Sequence, residues 1–327
     1  MEAFVTGGSG FLGRHLLRAL VADGHGARAL ARSDAAAATV SAAGATPVRG
    51  DVGDTAAMEK GMAGCDVVVH AAALTDQWGP AERFHAVNVE GTRSVLVAAR
   101  AAGVPRLVHV SSEAVLADGR PLVRVDEAYP RPARPVGLYP LTKGLAEDLV
   151  LKANSADLTT VAVRPRLVWG PEDASVLPIL LAAVQRGRYA WIDHGNYLTS
   201  TCHVTNACEG ILLAATRGAG GEVFFLTDGA PLTLREFLTR LVATQGVELP
   251  ARSVPRRVAW ATATVLETAW SLLRLHGEPP LTRTFLALGG QEMTVRDDKA
   301  RRELGYVGHL SRDQGLADMA AAAGPGR

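Results

Sequence analysis

The feature that most constrains this chain is the run Thr6-Gly7-Gly8-Ser9-Gly10-Phe11-Leu12-Gly13, set directly after the apolar Ala3-Phe4-Val5. Phe11, Leu12, His15, Leu16, Ala19 and Leu20 then recur at helical spacing. Strand, glycine-rich turn and helix, in that order, form the setting in which a backbone cradles a pyrophosphate. Gly7 permits a tight turn, Gly10 lets the backbone approach a phosphate, and Gly13 lets the helix pack close to the strand. Free N–H groups at the helix start, together with the helix dipole, favour the anion. The spacing is G-x-x-G-x-x-G rather than the commoner G-x-G-x-x-G, so the order of the elements carries the expectation of a dinucleotide site. Its expected contacts here are Thr6, Gly7, Gly10, Phe11, Leu12 and Gly13.

Strands and helices alternate through the first half. Strands are expected at Ala27–Ala31, Thr46–Val48, Val67–Val69, Leu107–Val110 and Val161–Val163. A helix is expected from about Ala86 to Ala102, stopped by Gly103, and another after Tyr139-Pro140. This alternation predicts an α/β fold, a Rossmann-type doubly wound parallel sheet. Such sheets bind ligands outside the carboxyl ends of their strands. Gly7, His70, Ser112 and Arg164 all fall at strand ends and should face one cleft. After Arg164-Pro165 the pattern loosens, with prolines at 171, 178, 231, 250, 255, 279 and 280. Val223–Leu226 reads as one more strand returning to the sheet. The expected division is a dinucleotide-binding domain of residues 1–168 with about 197–228, and a smaller, discontinuous substrate domain of 169–196 and 229–327. The Ala320–Arg327 tail is expected to fray.

At 327 residues there is room for about two domains. The charge balance, 34 basic against 33 acidic residues, gives no reason to expect nucleic acid as a partner. Three cysteines, an odd number, point to a reducing compartment, and no signal peptide is visible, so a cytoplasmic location is expected. The apolar Val258–Leu273 is interrupted by Glu267, flanked by arginines and shorter than the ~20 residues of a membrane span. It reads as an amphipathic helix buried in the substrate domain, with peripheral membrane contact as the alternative.

Tyr139 and Lys143, four apart with helix following, can share one helix face. A nearby ammonium stabilises phenolate and should lower the tyrosine pKa toward neutrality. Such a tyrosine exchanges a proton with a secondary alcohol or ketone. Ser112, just past the fifth strand, can reach the same cleft and bond the substrate oxygen; its neighbour Ser111 stays an alternative. At the end of the second strand an acid would bind the ribose 2′-hydroxyl and select NAD(H). The sequence there is Ala29-Leu30-Ala31-Arg32-Ser33, and Arg32 suits a 2′-phosphate, so NADP(H) is favoured. Cys202, His203 and Cys208 lack a zinc-ligand spacing, so no metal is expected, and His203 is assigned to the domain interface. Trp78, Trp169, Tyr189 and Trp191 could wall an apolar substrate or form core. Arg186 and Arg188 read as a solvated helix end, with an anionic substrate group as the alternative, and Glu113 as a cap or ion-pair partner, with acid/base chemistry as the alternative.

Seven motifs fall in order along the chain: TGGSGFLG (Thr6–Gly13), GDV (Gly50–Val52), HAAA (His70–Ala73), NVEGT (Asn88–Thr92), VSSEAV (Val110–Val115), YPLTK (Tyr139–Lys143) and RPRLVWGP (Arg164–Pro171). Together they resemble the extended short-chain dehydrogenase/reductase superfamily. Within it the chain is similar to the 3β-hydroxysteroid dehydrogenase branch, and there to bacterial 2-alkyl-3-ketoalkanoic acid reductases. The finer likeness rests on YLTSTCHVTNACEG (Tyr197–Gly210), GEPPLTR (Gly277–Arg283) and KARRELGY (Lys299–Tyr306). The resemblance implies Tyr139 as general acid/base, Lys143 tuning it and holding the nicotinamide ribose, and Ser112 orienting the substrate oxygen. It implies Asp51 and Val52 near adenine, Ala72 and Ala73 lining the cofactor trough, and Pro165 near the nicotinamide. Asn88 would bind backbone or water near the site, or serve only a buried helix-start bond. The implied reaction interconverts a ketone and a secondary alcohol on a hydrophobic substrate. A nucleotide-sugar epimerase is the alternative. Ala114 stands where dehydratases carry a carboxylate, which argues against dehydration. A homodimer is expected, pairing the helix of Val89–Ala102 with the one after Lys143.

Overall fold

The first strand is followed within five residues by a helix, and the same unit repeats until seven parallel strands lie side by side. In the computed structural model, which describes residues 1–323, these are β1 (Glu2–Thr6), β2 (Gly26–Ala31), β3 (Thr46–Arg49), β4 (Val67–His70), β5 (Arg106–Val110), β6 (Thr159–Pro165) and β7 (Val223–Leu226). Their spatial order is β3-β2-β1-β4-β5-β6-β7, so the topology reverses between β1 and β4. Helices α1 (Phe11–Ala22), α2 (Asp34–Ala42), α3 (Thr55–Met62), α4 (Gly91–Ala101), α5 (Leu138–Lys152) and α6 (Val204–Arg217) belong to this lobe.

Burial on both faces explains the uninterrupted apolar strands. Leu16, Leu17 and Leu20 of α1 and Ile211 of α6 pack with Val5, Val69, Val108 and Val163 on one face. Met58 and Met62 of α3, Val95 of α4 and Val150 of α5 pack with Phe4, Val68 and Leu107 on the other. Neighbouring strand residues thus alternate between two cores, as the pleat requires. The expected strands all form. The helix expected from Ala86 begins earlier, with Ala81–Phe84, and passes through a π-helical stretch, His85–Glu90, before α4. Asn88, on that wider stretch, is buried.

The second lobe holds a four-stranded sheet ordered Leu232–Thr233, Leu198–Thr199, Met293–Val295, Leu122–Val125. Three segments therefore fall otherwise than expected, the first being Leu198–Thr199, which was expected in the dinucleotide-binding domain. Leu122–Val125 leaves the nucleotide lobe to pair with Met293–Val295. Ala300, Leu304 and Tyr306 return to the core of the main sheet. Trp169, Leu180, Trp191, Phe237, Leu241 and Leu316 form the core of the second lobe. The tail expected to fray is in part helical: Ala320–Ala323 close the helix Arg312–Ala323, and residues 324–327 lie outside the described residues.

The apolar Val258–Leu273 segment forms the helix Arg256–Leu272 but buries only Ala259, Ala263 and Glu267. Small alanines on that face let it sit close to Ile192 and to Leu286 of the helix Arg283–Gly289. The opposite face stays in solvent, which corrects the expectation of burial. Among the described residues no helix is long and apolar enough to cross a membrane.

Candidate active site

The glycine loop lies where the sheet order reverses. Gly7 adopts φ +75°, and a Cβ there would lie 2.7 Å from Ala72 N. A Cβ on Gly13 would lie 2.1 Å from Gly7 O, so the helix start presses directly on the loop. No side chain caps α1. The first-turn N–H groups of Phe11, Leu12 and Gly13 therefore lack helix partners and form a cradle that fits a pyrophosphate. The Thr6 side chain is buried between β1 and β4. Its hydroxyl accepts from Ala72 N (3.2 Å) and donates to His70 Nδ1 (2.7 Å). Thr92 donates to Asn88 O (2.6 Å), so it accepts from His70 Nε2 (2.8 Å). These bonds fix the His70 tautomer, and burial pushes its pKa down to about 3. Thr6 thus braces β1 against β4 through its side chain.

The other expected cofactor residues line the carboxyl edge. Ala72 and Ala73 are half-buried just past β4. Asp51 is exposed past β3 with its carboxylate accepting from Gly53 N (3.2 Å), and Val52 packs against Gly91 of α4. Pro165 ends β6 opposite Leu226 of β7. Arg32 stands exposed at the tip of β2, and Asp34 lies 3.3 Å from Arg49.

Ser112 follows β5 and caps the short turn Glu113–Leu116, accepting from Ala114 N (3.2 Å). Tyr139 stands on the first turn of α5. Burial and the nearby Glu113 carboxylate push its phenol up to about 12, and a hydrogen bond with Ser112 opposes that rise without cancelling it. Lys143 lies one turn on, but its ammonium turns to the carboxyl end of β5. It donates to Val110 O (2.6 Å) and to His109 Nε2 (3.4 Å). Desolvation lowers Lys143 to about 8, opposed by Glu147. The lowered tyrosine pKa expected from a shared helix face is therefore absent in this arrangement, because the ammonium is engaged elsewhere.

Two buried ion pairs hold the serines apart in role. Arg164 grips Glu147 with two bonds (2.8 and 2.6 Å), and Ser111 donates to the same carboxylate (2.7 Å). Ser111 is thereby engaged away from Tyr139. Arg166 donates to Glu113 (2.8 Å), which also accepts from Ser112 (2.8 Å). Arg166 reaches on to Leu288 O (2.7 Å) and ties the site to the second lobe. Asn88 bonds both backbone groups of Leu74 (2.7 and 3.0 Å) and Thr142 Oγ1 (3.0 Å), bracing the loop after β4 to α5. Trp169 and Trp191 belong to the core, whereas Trp78 is half-buried on the loop after β4. His203 packs edge-on against Trp169, 4.7 Å between centroids. Glu113 pairs as expected, though its partner Arg166 was not named from sequence, and the pair Glu147–Arg164 and the contact of Lys143 with His109 were not foreseen. Glu147, one turn past Lys143 on α5, was the available signal.

Residues 4–256 match the 3-beta hydroxysteroid dehydrogenase/isomerase family. The chain belongs to that family. This dehydrogenase is 54% identical, over 99% of its length and 97% of the relative's, to the 4-hydroxy-2-methyl-3-oxo-4-farnesyl-3,4-dihydroquinoline-1-oxide ketoreductase of Stigmatella aurantiaca. It is 36% identical to the 2-alkyl-3-oxoalkanoate reductase of Stenotrophomonas maltophilia, over 98% and 99% of the two chains. Among solved structures, that of gox2253 superposes with a TM-score of 0.79 at 30% identity, covering 98% of this chain and 97% of the other. A short-chain dehydrogenase/reductase superfamily protein from Agrobacterium tumefaciens, solved with bound NAD, matches with a TM-score of 0.74 at 26% identity, over 98% and 97%. The dehydrogenase is an NAD(P)-dependent oxidoreductase that interconverts C=O and CH–OH groups.

Proposed function

We propose that this dehydrogenase reduces a ketone on a bulky apolar molecule with NADPH, Tyr139 being the proton donor. The observation that carries the reading is the place of Tyr139, on the first turn of α5 with Lys143 one turn on, where burial and the Glu113 carboxylate beside it keep the phenol protonated, its pKa pushed up to about 12. At neutral pH only about one such phenol in 10⁵ is ionised. A protonated phenol suits an oxygen that gains charge as a carbonyl is reduced. Ser112, fixed by Glu113 and Ala114, orients that oxygen. Lys143 holds the ribose through an N–H not used on Val110 or His109. Nicotinamide, when bound, supplies the hydride. The glycine cradle and exposed Arg32 support NADPH as the preferred form, since a guanidinium pairs a 2′-phosphate.

A relative 54% identical is named for a farnesylated quinoline oxide, which supports a prenylated or long-chain ketone as substrate class. Leu141 and Leu145 on α5 and Val97 on α4 are exposed, which supports a homodimer through these helices. Three free, buried thiols support a cytoplasmic setting. The test is NADPH consumption with a farnesylated or 2-alkyl-3-keto substrate, with Tyr139→Phe beside the wild type. The variant is expected to bind NADPH as the wild type does and to lose turnover about 10²- to 10⁴-fold. Unimpaired turnover in the variant overturns the assignment.

A further inference from the structure

Of the two buried ion pairs at the carboxyl edge of the sheet, each takes the proton of a serine. Arg164 and Glu147, with Ser111, lie wholly in the nucleotide lobe. Arg166 and Glu113, with Ser112, cross to the second lobe. Both of these charged side chains are buried, at 4 and 3% exposed. Glu113 Oε1 accepts from Arg166 Nη1 (2.8 Å), and its Oε2 accepts from Ser112 Oγ (2.8 Å). The other arm of the guanidinium, Nη2, donates to Leu288 O (2.7 Å) and Thr199 Oγ1 (3.2 Å). Leu288 O is one of the carbonyls that the end of the helix Arg283–Gly289 leaves free, and Thr199 belongs to the second-lobe sheet. A rigid, planar fork thus runs from the second lobe to the carboxylate that holds the Ser112 proton.

The same helix abuts the approach to Tyr139. Gly137, two residues earlier, has φ +89°, and a Cβ there would lie 2.0 Å from Thr284 Oγ1. One short helix of the second lobe therefore bears on both the tyrosine and the serine of the site.

Stability does not explain the pair. Apolar side chains of similar volume match or exceed a buried ion pair. Arg166 Nε is also buried without a partner among the described residues, which adds a cost. What the pair does provide is direction. A serine hydroxyl rotates to suit its surroundings. Here Ser112 accepts from Ala114 N and donates to Glu113, which fixes the place of its oxygen.

We propose that Glu113 and Arg166 are positioning residues for carbonyl reduction, carrying the seating of the helix Arg283–Gly289 on the nucleotide lobe to the hydroxyl of Ser112. When a ketone arrives, Ser112 turns its hydrogen bond from Glu113 Oε2 to the ketone oxygen, and no covalent bond changes. Arg166 keeps its bond to Oε1, so the buried carboxylate is never left without a partner. The inference rests on the reading that Ser112 orients the substrate oxygen.

The experiment is steady-state reduction of a 2-alkyl-3-keto substrate by NADPH in a double-mutant cycle. Ser112→Ala is expected to lower kcat about 10²-fold. E113L/R166M removes both charges together, so no buried charge is stranded, and is expected to lower kcat about 10- to 100-fold. Its circular dichroism and its calorimetric affinity for NADPH should match the wild type. Added to Ser112→Ala, the pair change should cost no more than about twofold further, because it acts through Ser112. Arg166→Lys keeps a countercharge for Glu113 but loses the fork, and should retain urea stability while kcat stays about tenfold low. The proposal is overturned by wild-type kcat in E113L/R166M or in Arg166→Lys, or by a pair effect that adds in full to Ser112→Ala. Turnover retained by Tyr139→Phe counts against the acid assignment alone and leaves the cycle readable. If no ketone is reduced, crystals of E113L/R166M with NADPH decide: Ser112 Oγ is expected to leave its wild-type rotamer, and an unmoved Oγ overturns the proposal.

Discussion

Replacing Lys143 by Met isolates the energetic consequence of burying a charged group in the site. Lys143 is 3% exposed. Burial lowers its pKa from 10.5 to about 8. An unfolded lysine keeps a value near 10.4. Between the two values the folded chain binds fewer protons than the unfolded one, so stability rises as pH climbs through that window. Below it both states are charged, and the fold carries the whole penalty. The difference of 10.5 − 8, about 2.5 units, amounts to about 3 kcal/mol. Near pH 9.5 the folded lysine is mostly neutral and about 1.4 kcal/mol of that penalty remains. Met removes this pH-dependent part altogether. It also strands Val110 O, which costs about 1–3 kcal/mol at every pH. The stability of Lys143→Met relative to wild type should therefore fall by about 2 kcal/mol between about pH 7 and 9.5. Urea unfolding followed by circular dichroism at the two pH values measures it. A difference that stays flat across the window refutes the reasoning, because Lys143 would then titrate alike folded and unfolded.

Glu147→Gln leaves Arg164 buried without its countercharge and should lower stability by about 3–5 kcal/mol in the same urea assay. The pair change E147Q/R164M should recover most of that loss. Arg32→Glu should raise KM for NADPH about ten- to hundredfold and leave NADH unharmed; equal effects on both cofactors in steady-state kinetics would remove Arg32 from the 2′-phosphate. Gly13→Ala places a methyl 2.1 Å from Gly7 O and should weaken NADPH and NADH alike in calorimetric titration.

The sheet was legible in the sequence because its inner strands are short runs with apolar residues buried on both faces; the edge strand β3, Thr46–Arg49, buries none of its residues fully and was marked only by its place in the alternation. Glycine spacing located the cradle because a methyl at Gly7 or Gly13 would collide with backbone. The spacing of Tyr139 and Lys143 located the catalytic candidates. It did not reveal where the ammonium turns, since that depends on Val110 O and His109 from a strand more than thirty residues away. The ion pairs had the same obstacle: Arg166 and Glu113 are 53 apart and meet only once β5 and β6 lie side by side. Leu122–Val125 was missed because its partner strand, Met293–Val295, is about 170 residues on. The apolar count of Val258–Leu273 suggested burial, but which face of a helix is covered depends on its neighbours.

Carbonyl reduction at Tyr139 is tested most directly by following label from the cofactor. NADPH deuterated at the transferring carbon would be incubated with the enzyme and a farnesylated or 2-alkyl-3-keto substrate, and the product analysed by mass spectrometry and NMR. The account predicts a secondary alcohol with deuterium on the carbinol carbon, NADP released in equal amount, and neither product with Tyr139→Phe. An unlabelled, epimerised product with the cofactor retained on the enzyme, or labelled alcohol formed equally well by Tyr139→Phe, would contradict it.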